Sequence, residues 1–233
     1  SRRVLLTGGS GLIGLHLVKS LVKDGHYLYI TTRDKKKLIM LFNKNNIDMN
    51  DLSIVECDLL NNKAKEKIIG KIPEDLDCII FNARSLESVK LDNKGNLSDE
   101  QWLNEFKMAT VFPYQLTKML IDKDMQLKDV VFISSIYGTV VPNPVLYDNF
   151  HLDSPINYGV IKASQIQLAK EMAVRFIKNG IRTNCISFGG VEGRANDQFV
   201  RMHNKVSPIG RMLNEHDLFP PLRFLLENKN LAI

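Results

Sequence analysis

The chain has 233 residues, of which 44% are hydrophobic and 24% charged, which is typical of one globular domain that buries a core. The formal net charge of +5 is spread along the sequence, and its tight cluster at Lys35, Lys36 and Lys37 is typical of a solvated helix face, so we do not expect nucleic-acid binding. No apolar stretch approaches the roughly 20 residues that span a bilayer, and the three cysteines show neither CxxC nor zinc-site spacing, so we expect a cytoplasmic protein without a membrane segment or a bound metal.

Short runs rich in β-branched residues alternate with longer amphipathic segments. The predicted strands are 3–7, 27–32, 52–57, 77–82, 129–134 and 181–187, and the predicted helices are about 12–24, 35–46, 62–70, 99–123, 155–179 and 215–227. Several strands are apolar on both faces, as parallel strands covered by helices should be. The alternation predicts an α/β fold, a doubly wound Rossmann-like parallel sheet with helices on both faces, in a single domain over 1–233. Two longer connections are predicted as loops, 139–157 and a polar, lid-like excursion at 189–214.

The first predicted strand leads into a glycine-rich turn, "VLLTGGSGLIG". Such a turn exposes backbone N–H groups to a pyrophosphate, where side chains would block the approach. A glycine pattern alone is weak evidence, but this one follows a strand, opens a helix and begins an alternating chain, so it predicts a dinucleotide site. The residues assigned to cofactor binding here are Thr7, Gly8, Gly11, Leu12, Ile13 and Gly14.

The ends of the second and third strands indicate the form of the cofactor. An acidic residue after the second strand would bind the ribose hydroxyls and repel a 2′-phosphate. The sequence instead has Thr32 followed by Arg33, which favours NADP(H) over NAD(H). Asp34 leaves the choice open, because it could pair with Arg33 or reach a ribose itself. Asp58 could contact the adenine or cap a helix, and its neighbour Leu59 is assigned to the same cofactor site.

The segment "SPINYGVIKAS" (154–164) contains Tyr158 and, four residues later, Lys162. Ser154 is a good N-cap and Pro155 a good first helical residue, so Tyr158 should lie in a first turn with Lys162 on the same face. A phenol keeps its proton at neutral pH unless positive charge stabilises the phenolate, and an ammonium and a helix N-terminus both supply it. The pair is therefore typical of an acid/base for hydride transfer, and the lysine could also bind a nicotinamide ribose. The alternative is a surface tyrosine beside a solvated lysine.

Four motifs, "TGGSGLIG", "FNAR", "ISSIYG" and "YGVIK", occur in the order seen in short-chain dehydrogenases/reductases, and this resemblance covers nearly the whole chain. It implies that Tyr158 is the catalytic acid/base, with Lys162 as its partner, and that both also contact the cofactor. Ser135 would hydrogen-bond the substrate oxygen, whereas Ser134 would bond locally. The resemblance further implies cofactor contacts at Asn82, Ala83, Gly189 and Val191.

The sequence also departs from the family pattern. Ala109 stands where the resemblance implies an asparagine that bends a helix and anchors a water beside the lysine, so the proton relay would need another anchor or run more slowly. Arg84 replaces a usual glycine, Phe188 a usual proline, and Leu12 the middle glycine of the single-domain branch. Family members normally continue past 226–233 into a further strand, so we expect a C-terminal truncation. These departures leave open an active enzyme, a slow one, or a catalytically inactive dinucleotide-binding sensor or partner protein.

The substrate is predicted only by class, as a small carbonyl compound or secondary alcohol. The polar, aromatic-containing loop 139–157 suits a sugar-derived substrate or is purely structural. The basic side chains of the 189–214 excursion could close over a phosphate-bearing substrate or merely keep a mobile segment solvated. A loose similarity to a bacterial branch linked with surface-sugar and flagellin-glycan biosynthesis favours the sugar. The family commonly pairs subunits through the outer faces of helices 99–123 and 155–179, which implies a homodimer or homotetramer. An epimerase or dehydratase of the extended branch is disfavoured by the length.

Overall fold

The computed structural model describes residues 1–228, so the predicted continuation after 226–233 falls outside the described residues. Six strands form one parallel sheet in the order β3-β2-β1-β4-β5-β6. The strands are β1 (Arg3–Thr7), β2 (Tyr27–Thr32), β3 (Leu52–Glu56), β4 (Cys78–Phe81), β5 (Asp129–Ser135) and β6 (Arg182–Phe188). The predicted α/β class and doubly wound parallel sheet are confirmed.

Helices cover both faces of the sheet. They are α1 (Leu12–Lys23), α2 (Lys35–Lys44), α3 (Ala64–Ile69), α4 (Asp99–Phe106), α5 (Phe112–Asp122), α6 (Phe150–Asp153), α7 (Ile156–Phe176), α8 (Asp197–Val206) and α9 (Glu215–Glu227). One buried cluster joins α3, α5 and α7 to strand residues such as Leu5, and the other joins α1, α2 and α9 to strand residues such as Leu6. Successive strand residues therefore enter opposite cores, which explains why these strands are apolar on both faces.

The strand order reverses between β1 and β4. The chain winds outward from β1 through β2 to β3, then returns to β4 and continues on the other side to β6. In such sheets a crevice opens at the carboxyl ends of the strands where the order reverses. The glycine turn after β1 and the "FNAR" segment after β4 meet at this crevice.

The predicted helix 99–123 is interrupted by a π-helical turn, Lys107–Val111, between α4 and α5. Pro113 explains the interruption. It has no N–H to donate to the carbonyl of Ala109, four residues earlier, and its ring would clash with that carbonyl in a regular α-helix. The helix is therefore interrupted at this point although position 109 holds an alanine and not an asparagine.

Three further local differences concern the loops. The helix bearing Tyr158 begins at Ile156 with Pro155 as its N-cap, whereas Ser154 ends α6, so the capping role predicted for Ser154 is wrong. The predicted loop 139–157 contains α6, and the predicted excursion 189–214 contains α8, which is capped by Asn196.

No helix among residues 1–228 is long and apolar enough to cross a membrane.

At the amino ends of the strands, opposite the crevice, a buried carboxylate joins three segments. Asp129 at the start of β5 pairs with Arg2 at 2.5 Å and with Arg182 at 2.6 Å. Its side chain is 4% exposed, and those of the two arginines are 10% and 12% exposed. These two ion pairs fix the starts of β1, β5 and β6 relative to one another.

Candidate active site

A cleft of about 1000 Å³ lies at the carboxyl ends of the strands. Most residues assigned to the site from the sequence line it: Gly8, Gly11, Leu12, Ile13, Gly14, Arg33, Asn82, Ala83, Ser135, Tyr158, Lys162, Gly189 and Val191. Thr7, Asp58 and Leu59 do not. The structure therefore brings the glycine turn, the strand ends and the tyrosine–lysine pair to one cavity.

The glycine turn is packed too closely for side chains at two positions. Gly8 has φ +74°, and a Cβ there would lie 2.7 Å from the Cα of Ala83. A Cβ on Gly14 would overlap the carbonyl oxygen of Gly8. Gly11 is the N-cap of α1, and no side chain caps this helix end. The first N–H groups of α1 therefore face the cleft without a side-chain partner, which fits a pyrophosphate.

Thr7 and Asn82 tie the glycine turn to the end of β4. The Thr7 hydroxyl accepts hydrogen bonds from the backbone N–H groups of Asn82 and Ala83, each at 3.1 Å. The Asn82 side-chain amide donates to the carbonyls of Thr7 and Gly8 at 3.2 and 3.0 Å. Thr7, assigned to the cofactor from the sequence, is buried beneath the turn and shapes the site without lining it.

The strand ends on the adenine side are only partly as expected. Arg33 is exposed and lines the cleft. Asp34 caps α2 by accepting the Lys37 N–H at 2.9 Å, and this bond lowers the pKa of its carboxyl. Asp58 accepts the N–H of Leu60 but does not cap α3, and its neighbour Leu59 packs into the core.

Tyr158 lies half-buried on the cleft wall. The ring of Tyr137 packs edge-on against it with centroids 6.3 Å apart, and the Arg84 guanidinium lies 4.7 Å from its ring centroid. Burial and a hydrogen bond with Tyr147 raise the pKa of Tyr137, so this second phenol stays protonated. Sequence reasoning did not assign Arg84 or Tyr137 to the site, although Arg84 was noted as an unusual residue.

The two serines at the end of β5 face different partners. The Ser135 Oγ accepts the N–H of Tyr137 at 3.2 Å, which leaves its own hydrogen available to another acceptor. The Ser134 Oγ donates to the carbonyl of Lys162 at 3.0 Å. This contact agrees with the local role predicted for Ser134.

Lys162 is buried with 6% exposure, and its ammonium lies 5.8 Å from the Tyr158 ring centroid. Its Nζ donates to the carbonyl of Ile133 and to the side chain of Gln165, each at 2.9 Å. Burial and, to a lesser extent, the Arg84 guanidinium lower the pKa of Lys162 to about 8, although the Glu105 carboxylate acts in the opposite direction. The lysine can therefore exchange a proton near neutral pH, unlike a solvated one.

An aromatic cluster closes the other side of the cleft. Tyr147 contacts Phe150 and Phe199 with ring centroids 5.5 and 5.3 Å apart, and Phe199 stacks on His203. Tyr147 and Phe199 line the cleft. These contacts join the 139–157 segment to α8, so the two connections predicted as loops form one wall.

The cleft fits a nicotinamide dinucleotide on three observations. The glycine turn leaves backbone donors open at the start of α1, Arg33 stands exposed at the end of β2, and the tyrosine–lysine pair lies near the start of α7, beside the carboxyl end of β5. No group of three or more metal-ligating side chains occurs among residues 1–228.

Comparison with known proteins gives a consistent result. A family model described as short chain dehydrogenase matches residues 2–204. The uncharacterized oxidoreductase YmfI of Bacillus subtilis strain 168 is 24% identical over 243 residues, which cover 98% of this chain and 93% of that protein. The post-translational flagellin modification protein A of Campylobacter coli is 24% identical over 254 residues, covering 97% of this chain and 91% of that protein. A short chain dehydrogenase from Leptospira borgpetersenii, solved with NAD+, is 25% identical with a TM-score of 0.80, covering 99% of this chain and 88% of that one.

Proposed function

The chain belongs to the short-chain dehydrogenase family of NAD(P)-dependent oxidoreductases, and from that premise we propose that it reduces a carbonyl or oxidises a secondary alcohol at the cleft, using Ser135, Tyr158 and Lys162. The observation that carries the proposal is the position of Tyr158. It lies on the wall of the same cleft as the glycine turn, with Ser135 on that wall and the buried ammonium of Lys162 close to its ring. A surface tyrosine beside a solvated lysine would have neither the burial nor the cleft.

Each of the three residues has a separate task. The Tyr158 hydroxyl donates a proton to the substrate oxygen in reduction and accepts it in oxidation. A bound nicotinamide dinucleotide would donate or accept the hydride at the substrate carbon. Ser135 donates its free hydrogen to the same oxygen. Lys162 spends two of its three N–H donors on Ile133 and Gln165, so one remains for a ribose hydroxyl or for the tyrosine oxygen.

The proposed cofactor is NADP(H). Arg33 has no ion pair with any residue in the described part of the chain, and Asp34, which could have paired with it, is engaged with the start of α2. An exposed guanidinium without a carboxylate partner suits a 2′-phosphate. The Leptospira relative was solved with NAD+, and paired titrations with NADPH and NADH test the proposed preference.

The proposed substrate is derived from a sugar. Tyr147 and Phe199 offer flat faces, and Asp148, Asp153 and Asn196 offer polar groups along the same cleft wall, a combination that suits a hydroxyl-rich ring. The name of the Campylobacter coli relative, a flagellin modification protein, supports this class. Support for a phosphate on the substrate is narrower. Of the basic residues in the 189–214 excursion only Arg194 lines the cleft, and Arg211 pairs with Asp217.

We also propose a homo-oligomer, a homodimer or homotetramer, in the cytoplasm. Apolar side chains stand exposed on the outer faces of α4 and α7, among them Leu103 at 66% and Val174 at 77%. Such side chains on neighbouring helices suit a subunit interface. Light scattering coupled to gel filtration should give a mass above one subunit, which a Val174→Lys substitution should reduce. The three free cysteines suit a reducing compartment.

The function is tested first by titrating the protein with NADPH and NADH, then by screening carbonyl compounds that include keto sugars. Tyr158→Phe should lower turnover by about 10²- to 10⁴-fold while cofactor affinity stays within a few-fold, because the general acid/base is lost and the pocket is kept. Tyr114→Phe, on the exposed face of α5, is the matched control and should change neither. Tight cofactor binding with no turnover would instead support the non-enzymatic sensor. Turnover without net change in cofactor redox state would support an epimerase.

A further inference from the structure

Gln165 is a polar residue on the buried face of α7. It is 2% exposed, and its neighbours on that face, Ile161, Ala169 and Met172, are buried apolar side chains. An amide in such a position destabilises the fold unless its hydrogen bonds are made. Gln165 makes two. Its Oε1 accepts from the Nζ of Lys162 at 2.9 Å, and its Nε2 donates to the carbonyl of Ala109 at 3.3 Å.

The carbonyl of Ala109 can accept this bond because of the local backbone. In a regular helix it would receive the N–H of residue 113, but Pro113 has none. The π-helical turn Lys107–Val111 places this carbonyl against α7. The side chain of Ala109 itself offers no polar group. A main-chain atom therefore serves here as the fixed point to which the Gln165 amide is attached.

The direction of each bond is set by chemistry. An ammonium can only donate, so it must meet the carbonyl end of the amide, and the NH2 end must then point to an acceptor, which Ala109 supplies. With Ile133 as its second acceptor, Lys162 is held from two sides, and its third donor is left for the cleft. The other groups that act on the ammonium are the Arg84 guanidinium, the Glu105 carboxyl and the Cys185 thiol.

We propose that Gln165 is a positioning residue for the reaction, which orients the Lys162 ammonium and stabilises its charged form by linking it to the main chain of the π-helical turn. The inference rests on the proposed function for its catalytic consequence, but its physical content does not depend on turnover. It supplies from position 165 the anchor that the sequence lacks at position 109. The Gln165 amide bonds the Lys162 ammonium directly, so no asparagine is needed in the π-helical turn.

The test compares three variants. Gln165→Met keeps the volume of the side chain but removes both hydrogen bonds, and Gln165→Glu replaces the amide with a carboxylate at the same place. Gln167→Met, two residues further along α7 and exposed, is the matched control. The first readout is the titration midpoint of Lys162, followed by NMR of its side chain in cofactor-free protein and assigned by its absence in Lys162→Met. Circular dichroism verifies that each variant is folded.

In Gln165→Met the midpoint of Lys162 should fall by about one pH unit or more, since the ammonium loses a charge-assisted bond in a buried site. In Gln165→Glu it should rise above that of the parent, since a carboxylate favours the charged lysine. Gln167→Met should leave it unchanged. If Gln165→Met does not fold, the rise in Gln165→Glu still decides the matter. An unchanged midpoint in a folded Gln165→Met or in Gln165→Glu would overturn the proposal.

The second readout is the pH profile of kcat. The limb that reports Lys162 should move in the same directions as the NMR midpoints, with kcat in Gln165→Met about 2-fold lower near pH 7, about 10-fold lower near pH 9, and KM little changed. A loss of kcat at all pH values without a shifted limb would indicate a purely structural role and overturn the inference. If the parent shows no turnover, the proposed function fails, whereas the NMR midpoints still test Gln165 independently.

Discussion

A Gly14→Ala substitution tests the packing of the glycine turn. The added Cβ would overlap the Gly8 carbonyl oxygen and lie 2.9 Å from both the Gly8 carbonyl carbon and the Asn82 Nδ2. Two of these are backbone atoms, so the turn or the start of α1 must move. Overpacking of this kind costs about 1–3 kcal/mol in a well-packed core. If the displacement also disturbs the pyrophosphate donors, the same free energy weakens cofactor binding by about 5- to 150-fold.

Two other glycines provide the controls. A Cβ on Gly11 would meet no atom closer than 3.5 Å, but it would enter the space in front of α1 where we place the pyrophosphate. Gly11→Ala should therefore weaken cofactor binding and leave the unfolding midpoint unchanged. Gly70→Ala, at the end of α3 with its nearest contact at 3.4 Å, should change neither quantity.

The assays are urea unfolding without cofactor and fluorescence titration with NADPH. Gly14→Ala should lower both the free energy of unfolding and the affinity for NADPH. Gly11→Ala should lower only the affinity for NADPH, and Gly70→Ala should lower neither. A Gly14→Ala protein as stable as the parent would refute the steric argument. Unchanged NADPH affinity in Gly11→Ala would refute the assignment of the helix start to the phosphates.

Three other substitutions are informative. Arg33→Ala should weaken NADPH binding far more than NADH binding, and equal losses in a paired titration would contradict the assignment to the 2′-phosphate. Gly138→Ala should displace the segment carrying Tyr137, because its Cβ would lie 2.7 Å from the carbonyl carbon of Lys162; we expect a lower unfolding midpoint and kcat reduced about 100-fold, and full activity would refute this. Lys162→Met tests the pH dependence of stability. Because the pKa of Lys162 is about 8 in the folded state against the ordinary 10.5, the unfolded chain binds one more proton than the folded chain between these pH values. The free energy of unfolding of the parent should therefore rise by up to about 3 kcal/mol relative to that of the variant as pH rises through that window. A constant difference in urea unfolding from pH 7.5 to 10.5 would contradict it.

The sheet was predictable because burial on both faces leaves a strong pattern. The run at 77–82, for example, contains β4 (Cys78–Phe81), whose four residues are all buried. The helix α8 was missed because its stability depends on contacts with distant residues. Its Phe199 packs on Tyr147, which no local pattern of a polar segment reveals. The π-helical turn was readable in principle from Pro113, since a proline inside a helical pattern removes a donor.

The site was predictable where motifs place backbone or reactive groups, and less so where side-chain direction decides. Thr7 and Leu59 lie next to the cofactor site in sequence but turn their side chains into the interior, one to support the glycine turn and the other to pack in the core. The role of Gln165 was predictable in part, because it is a polar residue on the same helix face as the apolar Ile161 and Ala169. A buried polar residue on such a face requires hydrogen-bond partners, and Lys162, three residues earlier on the same helix face, is the nearest polar candidate in the sequence.

The carboxylate of Asp129 sits at the end of the sheet farthest from the chemistry, and this separation matters for engineering. Removing it would leave the guanidinium of Arg2, which is only 10% exposed, without its carboxylate partner, a loss of about 3–5 kcal/mol out of the roughly 5–15 kcal/mol that stabilise a typical domain. Residues around Tyr147 and Phe199, by contrast, belong to surface connections outside the two interior clusters. Libraries that diversify those connections should therefore yield folded proteins with altered substrate selectivity, as long as Asp129 and its ion pairs are left intact.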